Sequence, residues 1–298
     1  MWLVAFVGFL HGASLPMTFL PAYLKRIGLS SVPTRADLAT LALVMAAQSR
    51  AISFENCDVV LGKRISMADA DVEAKLVGQM RGGYCFEQNT LLRMALQALG
   101  FQVTPVLCRV RWNKPSDEEE PNTAFTHMAL KVALDQGEYL ADVGFAGTNS
   151  IAPVALGTAE SQALPEGEFR VADGRPGYQV LQLLVKDEWR ALYSWRVGEA
   201  AAAIDLECAN WFSCTYPKAR FTTSFFVSRV VGDEHHHILN EEYVVRKGHG
   251  VGSTVEKQRV ADLEQLLTLL EEVFGIELAA GTDVTNLDRY LPPPANVE

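Results

Sequence analysis

The chain has 298 residues, of which 49% are hydrophobic and 21% are charged. This length and composition are ordinary for a folded protein with a large core in about one to three domains. The net charge of −10 argues against a nucleic-acid-binding protein, because such proteins carry a basic face that neutralises phosphates.

The chain contains five cysteines, and no two of them form a Cys-X-X-Cys pair. The odd number argues against a disulfide framework, and the lack of a pair argues against a structural zinc site. We therefore predict a reducing, cytoplasmic location and no bound metal.

The first ten residues, MWLVAFVGFL, are apolar like the core of a signal peptide. No positive charge precedes them, since the first basic residue is Lys25, and they are too short to span a bilayer. A second methionine, Met17, follows. Residues 1–16 are therefore either an upstream start or a real extra segment, with a signal peptide as the third alternative. We predict no membrane-spanning segment.

Up to about residue 100 the hydrophobic pattern is mainly helical. Apolar residues recur on one side of residues 38–46, and further helices are predicted over 66–80 and 85–100. The last of these helices has an apolar face and ends at Gly100, a residue typical of helix C-termini.

Beyond residue 100 the pattern has a period of two, which is typical of strands. Three alternating segments cover residues 101–112, 125–134 and 138–145, and the last two are joined by a hairpin-turn signal, DQGE. A long loop rich in Gly, Pro and Ala is predicted over 147–178. Further strands are predicted over 178–185, 189–197, 221–231 and 241–247, and a C-terminal amphipathic helix over 255–275.

Cys85 follows two glycines and falls at the first turn of the predicted helix 85–100. A helix N-terminus carries partial positive charge, which favours a thiolate, and its free N–H groups can hold an oxyanion. The position therefore suits a nucleophile with a lowered pKa. A buried structural cysteine is the alternative interpretation.

A cysteine nucleophile needs a base, and the base needs an orienting acceptor. His127 lies in a well-patterned strand, and Asp142 lies between apolar neighbours, where an unpaired carboxylate is costly. A turn at residues 136–137 puts Asp142 opposite Lys131, on the face of His127 but four residues away, about 13 Å at strand rise. Direct contact then requires a bulge or a bend near residues 142–147.

The segments RGGYCFEQN, FTHMALKV and YLADVGFAG closely resemble those of the arylamine N-acetyltransferases. YLKRIGL, ISFENCDVVLGKRIS and NWFSCTYPKARF extend the resemblance over about residues 20–230. The resemblance implies that Cys85 is the acetyl-accepting nucleophile, His127 its base and Asp142 the residue that orients His127.

The resemblance also implies an α+β fold of three domains with a triad core like that of cysteine proteases and transglutaminases. The expected domains are an N-terminal helical bundle over residues 1–100, a β-barrel over 101–205 and a C-terminal α/β lid over 206–298.

The implied reaction is ping-pong. Acetyl-CoA acylates Cys85, and an arylamine, arylhydroxylamine or hydrazine then takes the acetyl group. Acetyl-CoA is thus a co-substrate, and no cofactor is expected to be bound permanently. The alternatives are a cysteine hydrolase or amide synthase of the same fold with another acyl donor, and a binding module whose thiol is structural.

The resemblance further suggests contacts with both substrates. Phe54 and Phe145 are candidates for the acceptor pocket, with a core role as the alternative for Phe54. Thr215 matches the family pattern at the CoA site, and Lys218 and Arg220 are the expected basic contacts for its phosphates.

Two residues depart from the family pattern. Ala146 stands where the family usually has a second glycine, and its methyl group is expected to crowd the pocket beside Phe145. Ala219 stands where the family often has a serine, which weakens the case for a hydrogen bond to CoA there. The acidic loop 116–121 is an unfavourable neighbour for phosphates. We interpret His235, His236 and His237 as surface residues, because adjacent residues of a strand alternate faces.

Overall fold

A computed structural model describes residues 18–114, 123–147, 150–248 and 253–293. Residues 1–16 and the acidic loop 116–121 lie outside the described residues. The α-helices are α1 (Phe19–Arg26), α2 (Leu38–Ala51), α3 (Cys57–Val60), α4 (Asp69–Glu73), α5 (Cys85–Ala98), α6 (Ala203–Thr215), α7 (Arg220–Thr223) and α8 (Leu263–Glu272). A π-helical turn, Ala74–Gly78, continues α4, and a 3-10 helix spans Thr285–Tyr290.

The strands form two antiparallel sheets. The strands are β1 (Phe54–Glu55), β2 (Gln102–Val110), β3 (Phe125–Leu134), β4 (Gly137–Ala141), β5 (Val154–Ala155), β6 (Gln162–Leu164), β7 (Gly167–Asp173), β8 (Tyr178–Val185), β9 (Glu188–Arg196), β10 (Phe226–Val231), β11 (Glu234–Leu239), β12 (Glu242–Lys247) and β13 (Thr254–Arg259). The larger sheet has the order β5-β4-β3-β2-β9-β8-β7-β6 and the smaller sheet the order β1-β10-β11-β12-β13.

Three hydrophobic clusters hold these elements together. The first cluster contains residues of α1, α2, α5 and β3. The helix that begins at Cys85, α5, therefore packs against the other helices and against β3. The second fills the inside of the larger sheet, where residues of β2, β7, β8 and β9 meet, so this sheet is barrel-like. The third packs α8 against the smaller sheet.

The predicted α+β class, with N-terminal helices, a barrel-like sheet and a C-terminal α/β part, is confirmed. The boundaries at residues 100 and 205 stay predictions. Helix α6 runs across residue 205. Strand β1, which lies within the predicted helical segment, pairs with β10 of the smaller sheet, with Phe54 opposite Ser228.

Three predicted elements differ from the structure. The strand predicted over 221–231 begins only at Phe226, because Arg220–Thr223 form α7. The helix predicted over 255–275 begins only at Leu263, where Asp262 caps it by accepting the N–H of Gln265 at 2.8 Å. The residues before it, TVEKQR, form β13, because pairing with β12 satisfies their backbone groups. The loop predicted over 147–178 contains the short strands β5 and β6 and all of β7.

The β3–β4 hairpin has a different register from the one predicted. Leu134 pairs with Gly137, so residues 135–136 form the turn rather than 136–137. Gly137 adopts φ 137°, a conformation that favours glycine, and begins β4. The shift places Ala141 opposite Leu130, which brings the end of β4 two residues closer to His127 than predicted.

A bulge on β3 lies beside the catalytic candidate His127. His127 pairs with Cys108, whereas the next residue of β2, Arg109, pairs with Phe125. Thr126 is therefore the extra residue of the bulge. The bulge or bend expected near residues 142–147 is a bend, at Val143 and Phe145, and the bulge on β3 is an additional irregularity.

Candidate active site

Cys85 is the first residue of α5 and follows an extended residue, Tyr84. The carboxylate of Glu87 accepts the N–H of Tyr84 at 3.1 Å, which satisfies a backbone donor at the start of the helix. The glycines before Cys85, Gly82 and Gly83, allow close packing of the chain and do not have positive φ angles. A Cβ on Gly82 would lie 2.3 Å from the carbonyl oxygen of Ser53.

A buried network of charged side chains supports this loop. The guanidinium of Arg81 contacts Glu55 at 2.7 Å and Asp58 at 3.4 Å. The ammonium of Lys75 contacts Asp58 at 2.8 Å and Glu87 at 2.7 Å. Since Glu87 also caps α5, the network connects the residues before Cys85 to the first turn of its helix.

His127 and Asp142 lie in direct contact. The Nε2 of His127 is 2.7 Å from Oδ2 of Asp142, and both side chains are buried. The other oxygen of Asp142 accepts hydrogen bonds from the Asn89 amide and from the N–H of Gly144, each at 2.8 Å. Burial opposes ionisation of Asp142, but His127 and these donors outweigh it and hold the pKa of the carboxyl below its usual value.

Asn89 holds the carboxylate of Asp142 in place, and the sequence pattern alone did not predict this contact. Its amide also donates to the carbonyl of Met128 at 2.7 Å, and its oxygen accepts the N–H of Val143 at 3.1 Å. Asn89 therefore joins β3 to the segment that carries Asp142. One signal was available: Asn89 lies four residues after Cys85, so the two share a helix face.

The imidazole of His127 is also held by aromatic rings. Its centroid lies 5.2 Å from that of Phe145 and 4.7 Å from that of Tyr193. Because Nε2 contacts Asp142, Nδ1 is the nitrogen that remains for another partner.

The thiol of Cys85 is only 2% exposed, and its sulfur lies 3.7 Å from the carbonyl oxygen of Thr126. Burial raises the pKa of Cys85, and the negative charge of Asp142 raises it further. The N–H groups of Met128 and Phe86 act in the opposite direction but do not compensate. This direction is opposite to the lowered pKa predicted from the helix N-terminus, because burial opposes the charged form of the thiol, and the thiol proton therefore needs an acceptor.

Cys85 and His127 line one cavity of about 800 Å³. The predicted acceptor residues Phe54 and Phe145 line it as well, as do the predicted CoA contacts Lys218 and Arg220. Ala146 and Ala219, the two departures from the family pattern, also lie in the wall.

Thr215 is placed differently from the other predicted contacts. It is the exposed last residue of α6 and does not line the cavity, whereas Ser213 of the same helix does.

The three adjacent histidines are not surface residues as a group. They alternate faces as predicted, but His237 lines the cavity with Cys85, and His235 lines a smaller pocket beside Phe54 and Phe145. His236 lies on the other face, where its Nδ1 is 2.7 Å from the hydroxyl of Tyr243. Alternation along the strand predicts which residues share a face. It does not predict that other parts of the fold cover both faces of β11.

Within the described ranges, no three His, Cys, Asp or Glu side chains are grouped so that they could hold a metal ion. In the same part of the chain, no helix combines the length and apolar character that crossing a membrane requires.

Known proteins match this chain over most of its length. A family model described as N-acetyltransferase matches residues 37–283. An arylamine N-acetyltransferase of Mycolicibacterium smegmatis is 38% identical over 272 residues, which cover 89% of this chain and 95% of that protein. A Salmonella typhimurium protein named arylamine N-acetyltransferase / N-hydroxyarylamine O-acetyltransferase is 33% identical, over 87% of this chain and 89% of its own length.

The fold matches as well. The solved structure of Mycobacterium marinum arylamine N-acetyltransferase in complex with CoA has a TM-score of 0.83 to this chain at 32% identity. The match covers 91% of this chain and 97% of that one. With Cys85 and His127 lining one cavity, Asp142 in contact with His127 and matches of this extent, the chain belongs to the arylamine N-acetyltransferase family of acyltransferases.

Proposed function

We propose that this protein transfers the acetyl group of acetyl-CoA to arylamines, arylhydroxylamines or hydrazines through an acetyl-Cys85 intermediate. The observation that carries the proposal is the 2.7 Å contact between His127 and Asp142, because His127 lines the same cavity as Cys85. A structural thiol in a binding module would not require this buried pair.

In the first half-reaction, the sulfur of Cys85 attacks the thioester carbonyl while Nδ1 of His127 takes the thiol proton. The raised pKa of Cys85 makes this transfer necessary, because few thiols ionise unaided near neutral pH. Asp142, which remains ionised, stabilises the imidazolium that forms. The imidazolium then protonates the departing CoA sulfur.

In the second half-reaction, the acceptor nitrogen or oxygen attacks the acetyl carbonyl of Cys85. His127 takes the proton of the attacking group and returns it to the sulfur, which regenerates the thiol. The free N–H groups at the start of α5 suit the negative oxygen of the tetrahedral intermediate.

The cavity fits CoA as the donor. The M. marinum relative was solved with CoA bound. Lys218 and Arg220 of this chain place two positive charges in the cavity wall, and we assign them to the phosphates of CoA. The CoA contact predicted for Thr215 stays a prediction, since this residue does not line the cavity.

The aromatic part of the cavity fits the acceptor. The rings of Phe54 and Phe145 lie in the wall near Cys85 and offer flat apolar surface to an aromatic amine. The name of the Salmonella relative includes transfer to N-hydroxyarylamines, which supports hydroxylamines among the acceptors.

Intact-protein mass spectrometry tests the proposal. Brief exposure to acetyl-CoA should add one acetyl group, and an arylamine should then remove it. Cys85→Ala should abolish the addition, whereas Cys208→Ala, which removes an exposed thiol, should preserve it. Modification that persists in Cys85→Ala, or acylation by other thioesters but not by acetyl-CoA, would contradict the proposal.

A further inference from the structure

Helix α6 carries an exposed apolar stripe that has no part in the mechanism above. Ile204 is 63% exposed and Trp211 is 57% exposed, and the exposed Cys208 lies between them. The spacings of four and three residues place these three side chains on one side of the helix. The opposite side of α6 is buried against the rest of the protein, and it consists of Leu206, Ala209, Asn210 and Ser213. The stripe therefore points away from the body of the molecule.

A groove of about 370 Å³ lies beside this stripe. Strands β2 and β3 contribute its apolar lining, which consists of Val106, Leu107 and Phe125. Cys208 belongs to both the stripe and the groove. The rest of the lining is Arg196, Glu199, Ala201, Asp205 and Ala209. A groove of this size and character accommodates one large aromatic side chain, the type of residue that anchors protein interfaces.

The exposed charges along α6 are divided between its two ends. Asp205 and Glu207 lie in the first half of the helix, whereas Lys218 and Arg220 follow its last turn. None of these four side chains forms an ion pair within the part of the chain that the structure describes. A second copy of α6 in the antiparallel direction places the acidic half of each helix beside the basic end of the other. The surface is therefore complementary to itself in charge.

We propose that the protein forms a two-fold symmetric dimer in which the α6 helices of two copies pack antiparallel. A two-fold axis between residues 209 and 210 places Trp211 of one copy opposite Cys208 of the other. Trp211 of each copy then enters the groove of the other copy. Because the aromatic anchor and its groove lie on one surface, the contact is made twice and closes at two copies.

The expected interface is small. One helix pair with two buried indole rings corresponds to the low end of specific interfaces, about 1,200 Å² in total. The dimer should therefore dissociate on dilution. It involves no acetyl transfer, so it can be tested independently of the proposed function.

Sedimentation velocity over a range of protein concentrations tests the dimer. The wild type should change from monomer to dimer as the concentration rises. Trp211→Ala should raise the dissociation constant about ten-fold or more, because the central anchor is lost. Ile204→Lys, which places a charge in the contact, should have a similar effect. Leu43→Ala is the matched control, since Leu43 is a half-exposed apolar residue of another helix, α2, and its loss should leave the dissociation constant unchanged.

Two outcomes of this experiment overturn the proposal. One is a wild-type protein that stays monomeric at every concentration up to its solubility limit. The other is a dimer whose dissociation constant is the same in Trp211→Ala and Ile204→Lys. Both replaced side chains are exposed, so urea unfolding at low concentration should show that the variants are folded as stably as the wild type.

Cross-linking through Cys208 tests the register. In the proposed dimer the two Cys208 residues are separated by about 4.5 Å along the helix axes and by about 8–10 Å between the axes. This separation is too large for a disulfide but is suited to a short bis-maleimide. Bismaleimidoethane should link two copies of the wild type and of Cys214→Ser. It should not link Cys208→Ser or, at the same concentration, Trp211→Ala. A dimer in solution that is not linked through Cys208 has another interface and overturns the proposal.

Discussion

Gly144 lies directly against Cys85. A Cβ at residue 144 would come within 2.7 Å of the Cys85 Cα and within 2.8 Å of the Asn89 amide nitrogen. Neither the backbone of α5 nor the buried Asn89 can move freely, so only glycine allows this approach. The contact brings the segment after β4 onto the start of α5 and so places Asp142 beside His127.

Gly144→Ala should therefore destabilise the protein by about 1–3 kcal/mol and slow acetylation of Cys85, because the added methyl group separates the two segments. Urea unfolding and mass spectrometry of the acetyl-enzyme measure the two effects. Gly78→Ala is the control, since its Cβ would approach no atom closer than 4.0 Å. Equal stability of the two variants would show that the close approach is not maintained in solution.

Asp142→Asn should slow acetylation by roughly 10⁴-fold with little loss of stability. The amide oxygen can still accept from Asn89 and Gly144, but its NH₂ group then faces Nε2 of His127. That nitrogen must become an acceptor, so the ring proton moves to Nδ1, the atom that has to receive the thiol proton. Rapid-quench mass spectrometry gives the rate. Asp135→Asn, in the exposed β3–β4 turn, should react at the wild-type rate. A rate close to wild type for Asp142→Asn would eliminate the orienting role.

His127→Ala should slow the reaction of Cys85 with iodoacetamide at pH 7 by about ten-fold or more. Burial raises the pKa of the thiol, so alkylation near neutral pH depends on a base that accepts its proton. In the variant, reaction should require a higher pH than in the wild type. Peptide mapping of alkylated Cys85 over pH 6–10 measures the shift. His236→Ala, on the opposite face of β11, serves as the control. Identical pH profiles for wild type and His127→Ala would exclude the Cys85–His127 pair.

The charged network below the nucleophile loop should make stability fall in acid. Burial opposes ionisation of Asp58, but Lys75 and Arg81 lower its pKa from 3.8 to about 2. Since the folded value lies below the unfolded one, this contribution is fully present above about pH 4 and is lost as pH falls through 2. The difference corresponds to about 2 kcal/mol.

Urea unfolding of wild type and Asp58→Asn between pH 5 and 2 tests this expectation. The wild type should lose its stability advantage over Asp58→Asn across that window. Asp71→Asn, which removes an exposed carboxylate bonded to Ser66, provides the comparison. A constant difference between wild type and Asp58→Asn from pH 5 to 2 would show that the pKa of Asp58 is not lowered by folding.

Local pattern in the sequence was sufficient for several features. The period of 3.6 and the residues before Cys85 predicted the helix that begins there, and the period of two predicted strands on both sides of the β3–β4 turn. Alternation along β3 and β4 also put His127 and Asp142 on one face. Each of these follows from short-range geometry, which depends on residues that are neighbours in the chain.

Only the tertiary structure decided how those pieces meet. The register of β3 and β4 depends on which two residues form the turn, and DQGE allowed more than one choice. The fit of Gly144 against Cys85 joins residues 59 positions apart, and no periodicity encodes it. His237 and Arg246 line the cavity only because the smaller sheet forms part of its wall, so side chains of two ordinary strands, β11 and β12, belong to the cavity wall. The environment of the Cys85 thiol is also decided by the tertiary structure. The helix N-terminus favours a thiolate, but the surrounding core excludes water, and this burial raises the pKa of the thiol.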